Sequence, residues 1–133
     1  MDTSVPLTIH PLANTPGQPA GHGPADPYIE AFYLPVLGPT GTWLWRRLAS
    51  LAAEARQPIT FDVDDLGRQI GIRPGAIRPT LDRLCHFGLV HQWSKSTFGV
   101  ETAAPTLRAD QVRRLPKSLQ DAHAALDLEA VTA

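Results

Sequence analysis

At 133 residues and 14.4 kDa the chain has room for one domain and scarcely two. Apolar types make up 43% and charged types 19%, which supports one modest core and excludes a wholly disordered chain. Twelve Lys/Arg against thirteen Asp/Glu give a net charge of -1, which excludes coating of nucleic acid by bulk charge but leaves room for a locally basic surface. The single cysteine, Cys85, excludes an intrachain disulfide framework and a multi-cysteine zinc site. The opening MDTSVPLTIHPLANTPGQPA has no early Lys or Arg and leads into no long apolar run. The expectation is a cytoplasmic protein without a secretory signal, a membrane span or a cofactor.

Six of the thirteen prolines fall within the first 27 residues, joined by Gly17, Gly21 and Gly23. Each proline removes a backbone donor and restricts its predecessor, so residues 1–25 are predicted to be a flexible arm. Asp26-Pro27 has the form of an N-cap and first helical position, predicting a short helix over 28–33 and an ordered linker to residue 38. The first long helix is expected from Pro39 or Thr40 to Arg56, with Leu44, Leu48, Leu51 and Ala55 at helical spacing. Trp43 broadens that stripe and is expected to bury against a later helix. Trp45 is left to cover the N-terminal segment or a partner chain. Pro58–Asp62 reads as a very short strand, with Ile59 and Phe61 on one side. Asp62 then caps a second helix that carries Val63, Leu66 and Ile70 and stops at Gly71.

After Gly71, Ile72 is expected to drop between two helices, and Ile77, Leu81, Leu84 and Cys85 make one inward stripe up to Gly88. Two short helices joined by a glycine-containing turn describe a helix-turn-helix. With the apolar pair Leu89 and Val90 leading into a hairpin, the segment resembles the winged helix-turn-helix of bacterial transcription regulators. Leu66, Gly71, Ile72, Ile77, Leu81, Leu84, Gly88, Leu89 and Val90 carry the resemblance, which spans residues 39–102. The flanking YLPVLGPTGTWLWRRLA and VRRLPKSLQDAH resemble a group of small, mostly uncharacterised actinobacterial proteins. The implied fold is mainly α: a winged helix-turn-helix with a small β-hairpin wing and C-terminal helices over 103–133. Two residues depart from the pattern. Arg73 stands where a capping Ser or Thr is usual, and Pro79 stands where the recognition helix ordinarily continues. A proline deep in a helix costs about 3 kcal/mol, so regular helix is expected to start near Gly75–Arg78 and run for about ten residues.

Charge is unevenly spread. Residues 73–100 carry Arg73, Arg78, Arg83 and Lys95 against Asp82 alone, whereas residues 1–38 hold three acids and no base. The resemblance implies sequence-specific binding of double-stranded DNA, with the third helix in the major groove. Arg78 and Arg83 are the leading base or phosphate contacts, and Arg73 touches phosphate near the helix start. His86 reaches phosphate if its ring faces outward. In the wing, Lys95 is the phosphate contact, assisted by the hydroxyls of Ser94 and Ser96. Trp93 and Phe98 flank the wing turn, where they are placed to pair across the hairpin, and are assigned to the core or to hairpin support. Each arginine also reads as an ordinary exposed residue.

A wing with one positive charge binds weakly as a single copy, so a homodimer is expected, its symmetry supplied by the C-terminal helices. There Thr106 is expected to cap a short helix ending at Pro116. A second helix from Lys117 to about Glu129 carries Leu119, Ala122, Leu126 and Ala130 on an apolar face, expected to pack on Trp43, Leu44 and Leu48 or to be shared between copies. Reactive groups do not converge in the sequence: His10 and His22 lie in the arm, and Cys85 reads as a buried structural thiol. No enzyme and no metal site is expected. The alternative function is a winged-helix module docking on transcription, replication or segregation machinery. That role calls for exposed aromatic surface around Tyr28, Phe32, Tyr33 and Trp45.

Overall fold

Leu7 and Ile9 alternate with Thr8 and His10, and this period-two pattern is realised as a strand, β1 (Leu7–Leu12), with Leu7 and Ile9 buried. The computed structural model describes residues 6–12 and 21–132. The expected flexible arm is therefore corrected at Leu7–Leu12; residues 1–5 and 13–20 of that arm lie outside the described residues. Downstream come a single π-helical turn (Ile29–Tyr33), α1 (Leu34–Ala55), β2 (Ile59–Phe61) and α2 (Val63–Ile70). A short 3-10 turn (Pro74–Ala76) leads into α3 (Ile77–His86), then β3 (Val90–Gln92) and β4 (Thr97–Glu101). Last come α4 (Ala109–Val112) and α5 (Lys117–Thr132). Among the described residues the fold is thus mainly α, five helices around a small mixed sheet of four strands.

The sheet order is β2-β1-β4-β3. β1 lies antiparallel to β2 and parallel to β4, while β3 and β4 form the antiparallel hairpin. Pro11 is compatible with an interior strand because of where its missing donor would point. The Thr8 amide donates to the Ser96 carbonyl at 2.7 Å, so even-numbered residues of β1 face β4 and odd-numbered ones face β2. Pairing with β2 ends at Ile9 opposite Ile59, so Pro11 faces a side with no ladder left to break.

α1 joins two helical pieces: Leu34–Leu37, helical where a linker was expected, and a long piece that opens at Pro39 as expected. Gly38 is non-helical within it (φ 81°, ψ 165°), which lets Pro39 open the straight segment without a clash. The buried stripe is Leu37, Gly41, Leu44, Trp45, Leu48, Ala49 and Ala52. The tryptophan assignments are consequently reversed. Trp45 is 0% exposed and its Nε1 donates to the Glu101 carbonyl at 3.0 Å, whereas Trp43 is 58% exposed beneath the Arg46 guanidinium. Tyr28, Phe32 and Tyr33 are buried as well, so the aromatic surface expected around them and Trp45 is interior.

The short N-terminal helix starts as expected: the Asp26 carboxylate accepts from the Tyr28 amide at 2.9 Å. That bond, and His22 beside it, hold the Asp26 carboxyl below the usual carboxylate range. His22 belongs to no free arm: its backbone bridges Ala104, and its ring reaches Asp26 through Nδ1 and Thr106 through Nε2, both at 2.9 Å. Thr106 is thus occupied with His22 rather than capping the next helix, and the Arg108 amide donates to Gln111 Oε1 instead. α5 packs on the Tyr28–Tyr33 turn and not on Trp43: His123 is buried against Phe32, and its Nε2 lies 2.7 Å from the Tyr28 hydroxyl. Leu126 on this helix stays exposed.

Candidate nucleic-acid interface

The Asp62 carboxylate accepts from the Asp64 amide and starts α2; Gly71, at φ 74°, ends it. The turn is close. A Cβ on Gly67 would lie 2.8 Å from the Ile72 carbonyl oxygen, so this helix position tolerates only glycine without a backbone shift. Arg73 occupies the extended position before Pro74 and makes no side-chain cap, as its chemistry requires. Regular helix then begins at Ile77 and lasts ten residues, the length and start expected from Pro79. Pro79 falls in the first turn of α3, where its missing N–H has no intrahelical partner to lose. Ile77, Leu81 and Leu84 are buried, which turns Arg78, Pro79, Asp82, Arg83 and His86 outward.

The seven singled-out polar residues fall in four places. Arg78 Nη1 donates to the Lys95 carbonyl at 2.8 Å, joining the start of α3 to the hairpin loop that holds Ser94, Lys95 and Ser96. Within that loop Ser94 and Lys95 are exposed, the Ser96 amide reaches Ser94 Oγ at 3.4 Å, and β1 grips the Ser96 carbonyl. Arg73 is exposed on the turn before α3. Arg83 turns instead towards α1: its Nη2 donates to the Val36 carbonyl at 3.2 Å and its guanidinium lies 5.9 Å from the centre of the Phe87 ring. His86 is exposed at the far end of α3 and lines a cleft against α4. Among the described residues none of Arg73, Arg78, Arg83 and Lys95 forms an ion pair, and Asp82 pairs with none of them. Arg78 and Arg83 therefore bond to carbonyls, which take up one donor of five and leave the positive charge uncompensated.

The hairpin differs in one respect from the expectation. Phe98 is in the core, whereas Trp93 is exposed on the opposite face, against His10 and over Gly99. Phe98 pairs with Gln92, not with Trp93. Gly99 makes room for the indole: a Cβ there would meet Trp93 Cζ2 at 2.6 Å and Leu12 Cδ1 at 2.9 Å.

Other chemistry is sparse around this surface. Cys85 is partly buried, and burial raises its thiol pKa, which lowers the fraction of reactive thiolate. Among the described residues no group of three or more His, Cys, Asp or Glu could hold a metal ion. Among the described residues no helix is long and apolar enough to cross a membrane. Val112-Arg113-Arg114 reads from sequence as basic or as the solvated side of a helix, and nothing local in Arg108 or Arg114 marks that they lie beside the end of α3. Comparison with known proteins finds no matching family model, no matching curated protein and no matching solved structure.

Proposed function

We propose that the chain is a small DNA-binding regulator of the winged helix-turn-helix type. In this reading α2, the Gly71 turn and α3 form the helix-turn-helix, and the β3–β4 hairpin is the wing. α3 enters the major groove of double-stranded DNA with Arg78 towards base edges or phosphates, and Arg83 joins it by exchanging its bond to the Val36 carbonyl for one to DNA. Arg73, Lys95, Ser94 and Ser96 hold the backbone on either side, and His86 reaches phosphate at the far end of α3. The observation that carries the reading is the 2.8 Å bond from Arg78 to the Lys95 carbonyl. It links reading helix and wing into one surface whose cations have no acidic partner among the described residues.

Weak binding by one copy favours a homodimer, and the exposed Leu126 and Leu128 of α5 support pairing through that helix. The test is selection of bound fragments from a genomic DNA library by the purified protein, repeated across salt concentrations. Recovery of a palindrome with salt-sensitive affinity is expected. Arg83→Ala should relax discrimination at one position, and Lys95→Ala should weaken all sequences alike with a shallower salt slope. If neither variant differs from the parent chain, or if no sequence is enriched, the proposal fails.

A further inference from the structure

A cleft of about 300 Å³ opens where three distant segments meet: the start of α1, the end of α3, and α4 with the residues around it. Its apolar wall comes from Pro35, Phe87 and Leu115, running from exposed Pro35 through half-buried Phe87 to buried Leu115. Its polar wall comes from His86, Arg108 and Arg114, all three exposed, which puts the charge at the mouth. Arg108 is engaged by Asp110 through Nε at 3.1 Å and Nη2 at 3.4 Å, which leaves one terminal nitrogen uncommitted. Arg114 forms no ion pair among the described residues. A single carboxylate thus faces two guanidiniums, before His86 is counted. The volume is at the lower limit for small-molecule sites, enough for a compact ligand and too small for a folded partner.

We propose that this cleft binds a small organic anion with a flat apolar body, an aryl carboxylate being the simplest case. The body lies on Phe87, Pro35 and Leu115, and the carboxylate meets the planar donor fork of Arg114, with Arg108 and His86 beside it. Guanidinium is the cation whose geometry matches a carboxylate with two parallel hydrogen bonds, so Arg114 carries the anion specificity. Apolar contact alone would accept a neutral isostere equally well, and charge alone would accept inorganic phosphate. The inference requires both walls and shares only His86 with the DNA reading; its test concerns occupation of the cleft and needs no DNA.

The experiment is calorimetric titration of the full chain with three probes: 2-naphthoate, its neutral isostere 2-naphthamide, and inorganic phosphate. Saturable one-to-one binding of 2-naphthoate is expected, with 2-naphthamide at least about tenfold weaker and phosphate without saturation. Arg114→Gln should weaken 2-naphthoate by about tenfold with an unchanged thermal melt, because the replaced side chain is exposed. Arg113→Gln, altering the exposed neighbour that does not line the cleft, should leave the affinity within about twofold. Equal binding of acid and amide, saturation by phosphate at similar concentrations, equal loss in the two arginine variants, or no saturable binding of 2-naphthoate would each overturn the assignment.

Discussion

Truncating Ile9 to alanine is the sharpest test of the architecture, because Ile9 is 1% exposed in a segment whose proline content argues against regular structure. Ile9 sits in β1 with Ile59 on one side and Phe98 on the other. Replacing a fully buried isoleucine removes three carbons and leaves a cavity that the surrounding sheet closes only in part, at about 2–5 kcal/mol. A central strand flanked on both sides has little freedom to collapse, so a value of about 3 kcal/mol is expected, or roughly 10 °C in Tm for a domain of this size. Ile9→Val should cost about 1 kcal/mol, giving a graded series. The assay is urea unfolding followed by far-ultraviolet circular dichroism, with Leu44→Ala as a reference for an undisputed core position. If Ile9→Ala falls within about 0.5 kcal/mol of the parent chain while Leu44→Ala shows the usual core penalty, β1 is not docked and the four-stranded sheet is wrong.

Three further outcomes follow from the same geometry. Trp45→Phe should cost about 1–2 kcal/mol by leaving the partly buried Glu101 carbonyl without the indole donor, while Trp43→Ala stays within about 0.5 kcal/mol; acrylamide should quench the fluorescence of Trp43 and Trp93 but not that of Trp45. Asp26→Asn should cost about 1 kcal/mol at neutral pH, a modest figure because the Asp26 side chain is 38% exposed. Since the folded state lowers the Asp26 pKa, that stabilisation is present above the ordinary carboxylate pKa and is lost as pH falls through the folded value. Urea midpoints of the two chains should therefore converge as pH falls below the ordinary carboxylate range and through the lowered folded-state value of Asp26, and a gap independent of pH would contradict the bonding described. Gly71→Ala should cost about 1 kcal/mol from its positive φ alone, as its Cβ meets nothing, whereas Gly67→Ala should cost more because its Cβ meets the Ile72 carbonyl; equal thermal melts for the two would refute the close turn.

What the sequence disclosed and what it concealed divide by the range of the interaction. Asp62, Gly71 and Pro79 act within one helical turn of themselves, so the limits of α2 and α3 could be placed from them before any coordinates. The Trp43/Trp45 choice was local too but finely balanced: both lie roughly 90–110° from the centre of the Leu44–Leu48–Leu51–Ala55 stripe at 100° per residue. Arg47 and Glu54 lie on the Trp43 side and Ala49 and Ala52 on the other, so the flanking polarity held the answer. β1 was hidden for another reason. Its partner in β4 lies some ninety residues away, and proline density outweighed the two-residue alternation of Leu7 and Ile9. The cleft was hidden because Pro35, Phe87 and Arg114 share no local pattern at all.

The N-terminal strand bears on the candidate interface through the hairpin. A two-stranded hairpin alone is marginal in water, and a third strand with a buried face stabilises it. Here β1 supplies that strand: the Thr8 amide holds the Ser96 carbonyl, one residue from the Lys95 carbonyl that receives Arg78. The chain of bonds from β1 through the hairpin loop to α3 fixes the loop before any ligand arrives, and a pre-ordered loop loses less entropy on binding. On the proposed function, then, Ile9→Ala should weaken DNA binding more than Trp43→Ala does, even under conditions where both variants remain folded. The readout is fluorescence anisotropy with the selected DNA at low temperature, with circular dichroism confirming the folded fraction. A loosened β1 that leaves affinity unchanged would mean that the hairpin holds its shape without it, or that the hairpin contributes nothing to binding.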